Sequence, residues 1–167
     1  MNMRYLVFSD SHRKPEPMLR AAEAIPCNGF LFLGDGLSDL AELTYRFPYR
    51  NLCAVRGNND WFEQEADTRV LDCNGTRIFL CHGHTLNVRA GTDVLCFTAK
   101  RNGCTAALFG HTHIAVCREE NGLLLLNPGS IRDSGTFGIL DVRKGMVHAE
   151  IRQADEPETV VSETTTG

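Results

Sequence analysis

Tyr5-Leu6-Val7-Phe8-Ser9-Asp10-Ser11-His12 opens the chain, and its pattern returns at Phe30-Leu31-Phe32-Leu33-Gly34-Asp35. In each, an apolar β-type run ends at a carboxylate or imidazole beside a small residue. Between them, Pro15 to Ile25 reads as a helix, with a proline near its start and Met18, Leu19, Ala22 and Ile25 spaced for one buried face. Leu37 to Phe47 reads as a second helix and Asn51 to Val55 as a third strand. Strand-helix-strand-helix-strand is the signature of parallel strands joined by helical crossovers. Ligands of such sheets bind beyond the carboxyl ends of the strands, where these polar residues lie.

The second half is richer in strands. Arg69 to Asp72 and Arg77 to Cys81 flank Asn74-Gly75, a strong hairpin signal. Thr92 to Asn102 reads as a helix and Ala106 to Phe109 as a strand ending at Gly110. Two more hairpins are expected: Ile114 to Arg118 with Leu123 to Leu126, and Thr136 to Val142 with Met146 to Ile151. The expected architecture is one α/β domain over residues 1–152, a two-sheet sandwich with helices outside. Residues 153–167 are acidic, rich in Thr and Ser and without apolar periodicity, so they read as a flexible tail.

Composition narrows the possibilities. A chain of 167 residues suffices for one domain and is too short for two. A formal charge of −4 argues against a nucleic-acid surface, which needs clustered Lys and Arg. No apolar run approaches the roughly 18 residues of a membrane-spanning helix, and the first residues read as a strand, not a leader. The seven cysteines are odd in number, widely spaced and mostly inside apolar runs, so they read as small buried hydrophobes of a reducing cytoplasm. Whether the chain forms a homo-oligomer stays open.

Five clusters carry the chemistry: Asp10-Ser11-His12, Gly34-Asp35, Gly57-Asn58-Asn59-Asp60, His82-Gly83-His84 and Gly110-His111-Thr112-His113. Alternation along a strict strand would place Asp10 with His12, and His111 with His113, on one face. Asp35, between two glycines, has two oxygens with which to bridge two ions. The donors are oxygen and nitrogen only, which suits Mn, Fe, Zn, Co or Ni, and their number suits two ions. Two divalent cations against two carboxylates leave a positive excess that favours a phosphate ester. Several neighbours carry two readings. His84 either touches substrate or supports a loop, and Asp60 orients the Asn58 turn. Asp39 either caps the second helix or is solvated at its start. Arg13, Lys14 and Arg132 either meet a phosphate or are solvated, and His148 is structural. Trp61-Phe62 either stacks on a base or aryl group or anchors a loop in the core.

The ordered series Asp-x-His, Gly-Asp, Gly-Asn-x-Asp, His-Gly-His, Gly-His-Thr-His, with Asn127-Pro128-Gly129-Ser130, resembles the calcineurin-like metallophosphoesterases, in particular their small YfcE-type branch. The resemblance spans residues 4 to about 151. It implies a four-layer αββα sandwich, two mixed sheets flanked by helices. It implies one metal on Asp10, His12 and His113, a second on Asn58, His82 and His111, and Asp35 bridging both. Manganese is the first choice, with Fe, Ni, Co or Zn as alternatives. The implied activity is that of a phosphoric diester hydrolase acting through a metal-bound hydroxide, with Asp35, His82 and Asn59 in catalytic positions and a small phosphodiester or nucleotide as substrate. Larger members carry His where this chain has Asn59, which donates a hydrogen bond but no proton, and that favours leaving groups needing little protonation. A nucleotidase or phosphomonoesterase, and a protein-binding scaffold similar to the retromer subunit, are the competing expectations.

Overall fold

A computed structural model describes residues 2–167. The element order is β1 (Met3–Phe8), α1 (Glu16–Ala24), β2 (Gly29–Phe32), α2 (Leu40–Arg46), β3 (Asn51–Ala54), β4 (Thr68–Cys73), β5 (Thr76–Cys81), α3 (Asp93–Arg101), β6 (Ala106–Leu108), β7 (Val116–Glu120), β8 (Leu123–Asn127), β9 (Thr136–Arg143), β10 (Met146–Gln153) and β11 (Glu156–Thr166). They form two mixed sheets, one ordered β11-β10-β9-β1-β2-β3 and the other β4-β5-β6-β8-β7.

Alternation along the strands explains the layering. Tyr5, Val7, Leu31 and Leu33 face Ile78, Leu80, Leu108, Leu124 and Leu126 across the gap between the sheets. The intervening Leu6, Phe8, Phe30 and Phe32 pack on Met18, Leu19, Ala22, Leu40 and Leu43 of α1 and α2. On the other side, Phe79, Ala107, Leu123 and Leu125 pack on Leu95, Cys96 and Ala99 of α3. Both faces of the central strands are therefore buried, so those strands read as unbroken apolar runs. The result is the four-layer αββα sandwich that the family resemblance implies. Among the described residues, no helix is long and apolar enough to cross a membrane.

The hairpin turns follow from asparagine and glycine. Asn74 and Gly75 adopt φ 53° and 81°, and Asn121 and Gly122 adopt the same pair of values. Two consecutive left-handed residues make the type I′ turn that suits the twist of paired strands.

One expectation is overturned. Residues 156–166 do not fray but form the antiparallel edge strand β11 against β10, with a register shift near Arg152. Backbone groups carry this pairing, so it needs no apolar periodicity. The β-branched Val160 and Val161 favour extended chain, while Glu158 and Glu163 keep the outer edge charged. The strand also reaches the second sheet, where the Thr166 hydroxyl donates to Glu119 Oε2 at 3.3 Å.

Candidate metal centre

In the first sheet β1, β2 and β3 run parallel, and in the second β5, β6 and β8 do. The carboxyl ends of these strands meet at one end of the sandwich. Asp10 and His12 follow β1, Asp35 follows β2, the Gly57–Asp60 turn follows β3, His82 follows β5, and His111 and His113 follow β6. The structure gathers six of the seven expected ligands into two trios, Asp10–His12–His113 and Asp35–His82–His111, each with donor atoms within 4.8 Å of one another. The trios adjoin: His12 Nε2 lies 3.9 Å from Asp35 Oδ2, and His82 Nε2 lies 4.0 Å from Asp10 Oδ1. Asn58 is exposed on the turn beside Asp35, with Asn59 the neighbour that faces that carboxylate.

Strand alternation is not what aims these side chains. Asp10, His12, Asp35, His111 and His113 all have positive φ, between 40° and 70°. Left-handed backbone at such residues costs on the order of 1–3 kcal/mol each and persists only where the surroundings enforce it. Those surroundings are visible. Both oxygens of buried Asp60 accept backbone N–H bonds, from Asp35 (2.7 Å) and Gly57 (2.8 Å) on one and from Gly36 (2.9 Å) and Leu37 (3.0 Å) on the other. Asp39 Oδ2 accepts from the Ser11 hydroxyl at 2.5 Å and the Arg13 N–H at 3.0 Å, which braces the Asp10–His12 loop instead of capping α2. Asn127 donates to Gly110 O at 3.1 Å and to Thr112 Oγ1 at 3.0 Å, and the Ser130 hydroxyl donates to Asp10 O at 2.9 Å. Gly57 is needed because a Cβ there would collide with the carboxylate and amide of Asp35.

The remaining bonds orient the donors. The Asp10 carboxylate takes the Ser9 hydroxyl at 2.5 Å and the His111 N–H at 3.2 Å on Oδ2, leaving Oδ1 toward the imidazoles. His82 Nδ1 donates to the carbonyl of Leu33 at 2.7 Å, so Nε2 faces Asp35 Oδ2 at 3.3 Å. His113 Nδ1 meets Asp133 Oδ2 at 2.8 Å, so its Nε2 faces Asp10 Oδ1 at 3.1 Å. Asn59 donates to both Asp35 oxygens, through its backbone N–H at 2.8 Å and its amide at 2.9 Å.

Electrostatics agree with a cation site. Burial works to raise the Asp35 pKa, but hydrogen bonding and charge from His82, with the Asn59 donors, outweigh it and hold the carboxyl well below the usual range. Burial works to lower the His82 pKa, and the Asp35 hydrogen bond with the Asp10 and Asp35 charges reverses it. Burial and the His82 charge push His111 down, toward the neutral form that ligates, and lower the nearby His84 in the same way. Asp10 Oδ1 and His12 Nε2 are buried without a hydrogen-bond partner, 3.4 Å apart. Such orphaned atoms are rare in folded proteins, and two anionic or imidazole donors converging without a proton donor fit a divalent cation. Cys81 is not among the donors: burial raises its thiol far above the ordinary range, and Sγ points at Leu108 O.

Asp60 supports the turn, as the sequence indicates, and so does the Asn127–Ser130 segment. The His84 ring lies 5.5 Å from that of His82, tilted by 57°, and approaches Asp67 at 4.0 Å. His148 bonds Thr165 and Glu150 on β10 and β11, far from the centre in the fold. Trp61 and Phe62 do not anchor a loop in the core; they are 73% and 101% exposed. Sequence reasoning missed Ser9 and Asp133. The small residue before Asp10 was a signal for the first, whereas 20 residues separate His113 from the second.

Comparison with known proteins follows the same line. The family model described as the calcineurin-like phosphoesterase superfamily domain matches residues 3–145. A probable metallophosphoesterase of Bacillus subtilis, YsnB, is 31% identical over 131 residues, covering 78% of this chain and 76% of the relative. The phosphodiesterase MJ0936 of Methanocaldococcus jannaschii is 24% identical over 163 residues, covering 85% and 95%. Among solved structures, the E. coli phosphoesterase YfcE superposes with a TM-score of 0.72 at 19% identity, covering 99% of this chain and 100% of that one. Vps29 of Entamoeba histolytica, complexed with zinc, gives 0.77 at 20% identity and covers 98% of each chain.

Proposed function

The chain belongs to the calcineurin-like phosphoesterase superfamily, and from that premise we propose that it is a dinuclear metal-dependent phosphodiesterase. The observation that carries this reading is the pair of adjoining donor trios, with orphaned atoms on Asp10 and His12 turned into the space between them. The name of the archaeal relative MJ0936 supports the diester choice. Manganese is our first choice of ion, and the zinc complex of Vps29 supports a divalent cation in this fold. The seven free cysteines support a reducing, cytoplasmic setting.

Two divalent cations bound here would supply positive charge for the phosphate and a nucleophile ionised near neutral pH. The chain's own residues do the rest. Asp10, His12 and His113 hold one side, and Asp35, His82, His111 and the neighbouring Asn58 hold the other. Asn59 fixes the Asp35 carboxylate by two hydrogen bonds and so keeps its two oxygens available to both sides. The second N–H of the Asn59 amide offers a donor for charge that develops on phosphate oxygens. No acid with a proton to give faces the leaving group from the Asn59 position, which favours aryl or phosphoanhydride leaving groups over simple alkoxides.

The test is metal-stripped protein resupplied with single divalent ions and assayed on diester, monoester and nucleotide panels. Diester turnover should depend on the ion and fall more than about a hundredfold in His111→Ala. Equal, ion-independent rates for wild type and variant would end the proposal. The likeness to Vps29 favours a second reading, a protein-binding module, and ion binding with no turnover on any panel would select it.

A further inference from the structure

Resting on the phosphoesterase reading of the same centre, we infer that the cleft beside it is a nucleobase subsite, so that the substrate class is nucleoside phosphodiesters. The cleft encloses about 620 Å³ and runs from His12 and Asp35 outward to Trp61 and Phe62. That volume lies in the range of small-molecule sites, roughly 300–1,000 Å³. Its inner end is the metal centre and its outer end is aromatic, the layout that a phosphate joined to a planar ring would require.

The aromatic pair has no structural employment within the chain. Phe62 is wholly exposed and sits at φ 69°, a conformation that β-carbon sterics penalise and that no hairpin turn demands here. Trp61 is 73% exposed beside it. Both follow directly on Asn59 and Asp60, the residues that hold Asp35, so their position is tied to the centre through the most heavily braced turn of the fold. Exposed aromatic faces next to a phosphate site stack on bases, and every base offers such a face.

Charge and polarity complete the fit. The Arg13 and Arg132 guanidiniums line the same cleft, where they offer donors to phosphate oxygens or to base carbonyls. Ser38 and Glu63 also line the cleft and offer acceptors for a sugar hydroxyl or a base N–H. A purely aryl substrate would leave these polar groups without partners. A nucleoside uses all of them.

Trp61 is the sole tryptophan, so its fluorescence reports the subsite directly. Uridine 5′-monophosphate titrated into manganese-loaded protein should quench it saturably. Ribose 5-phosphate should not, and phenyl phosphate should bind more weakly. Phe62→Ala, at an exposed position that does not threaten folding, should weaken the nucleotide roughly five- to thirty-fold, as loss of one stacking partner does. In turnover, the ratio of kcat/KM for thymidine 5′-(p-nitrophenyl phosphate) to that for methyl p-nitrophenyl phosphate should be high in wild type and fall toward one in Trp61→Ala/Phe62→Ala. Absence of saturable quenching overturns the subsite, as does a ratio equal in wild type and variant. Phenyl phosphate binding as tightly as the nucleotide overturns the nucleoside assignment in favour of an aryl one. Turnover of the methyl ester with no nucleoside preference sinks the subsite and leaves the phosphodiesterase standing. Nucleotide quenching with neither ester hydrolysed supports the subsite and sinks the phosphodiesterase.

Discussion

Asp60→Asn isolates the brace beneath the centre from the centre itself. The residue is buried, and its two oxygens take four backbone N–H bonds of 2.7–3.0 Å, two each. Asparagine keeps the shape and one acceptor oxygen, but its NH2 group must then face two N–H donors. Two hydrogen bonds to a charged acceptor are lost, each worth roughly 1.5–3 kcal/mol, and the surviving pair weakens as its acceptor becomes neutral. Water entering at the Gly57 turn recovers part of this, so the net loss should be about 2–4 kcal/mol. Asp35 N–H and Gly57 N–H share the same Asp60 oxygen, so the perturbation loosens the Asp35 carboxylate as well. Urea unfolding of chelated protein gives the stability loss, and calorimetric titration with manganese gives the accompanying drop in affinity. A variant that unfolds within about 0.5 kcal/mol of wild type, a value ordinary for surface changes, would refute the claim that Asp60 enforces the Asp35 conformation.

Three further outcomes follow from the same geometry. Asp133→Asn removes the carboxylate from His113 Nδ1 and should weaken ion binding about ten- to a hundredfold, measured by the same titration. In chelated protein, Asp35 with its depressed pKa stabilises above the unfolded carboxylate value near 4 and loses this as pH falls further, whereas His82 with its raised pKa stabilises below about 6.5 and loses this as pH rises through its folded value. Chelated protein should thus lose denaturant stability above neutrality while manganese affinity climbs over that window, because the imidazole must shed its proton to ligate. Truncation before Glu156 removes the ladder to β10 and should lower Tm by roughly 4–8 °C in a calorimetric scan, equivalent to about 2 kcal/mol.

The site was legible where chemistry and local sequence coincide. Asp10, Asp35, His82 and His111 each follow an apolar run and sit beside a small residue, and the strand order carries them to one end. The αββα layering was legible because α1 shows its buried stripe at Met18, Leu19 and Ala22, and because the hairpin turns carry Asn-Gly. Other features were not. The left-handed backbone at His12 or His113 is imposed by partners such as Asp39 and Asn127 that lie far away in the chain, so residue type alone points to the wrong mechanism of convergence. β11 is held by main-chain bonds, to which side-chain periodicity is blind. The exposure of Trp61 and Phe62 depends on what the surrounding loops fail to cover, which no local pattern encodes.

Each donor trio is drawn from both sheets: Asp10 and His12 with His113 in one, Asp35 with His82 and His111 in the other. A cation held by either trio is therefore a clasp across the sandwich, fastening at one rim two layers that are elsewhere joined by apolar contact, by β11 and by a few hydrogen bonds such as those from Arg69 to Ala54 O and from Thr76 to Arg143 O. Unfastened, that rim should breathe first, and hydrogen exchange in the loops after β1 and β6 would run ahead of the helices. Loading the protein with metal is then also an act of closure, coupling the supply of ions in the cell to how tightly the whole body is shut.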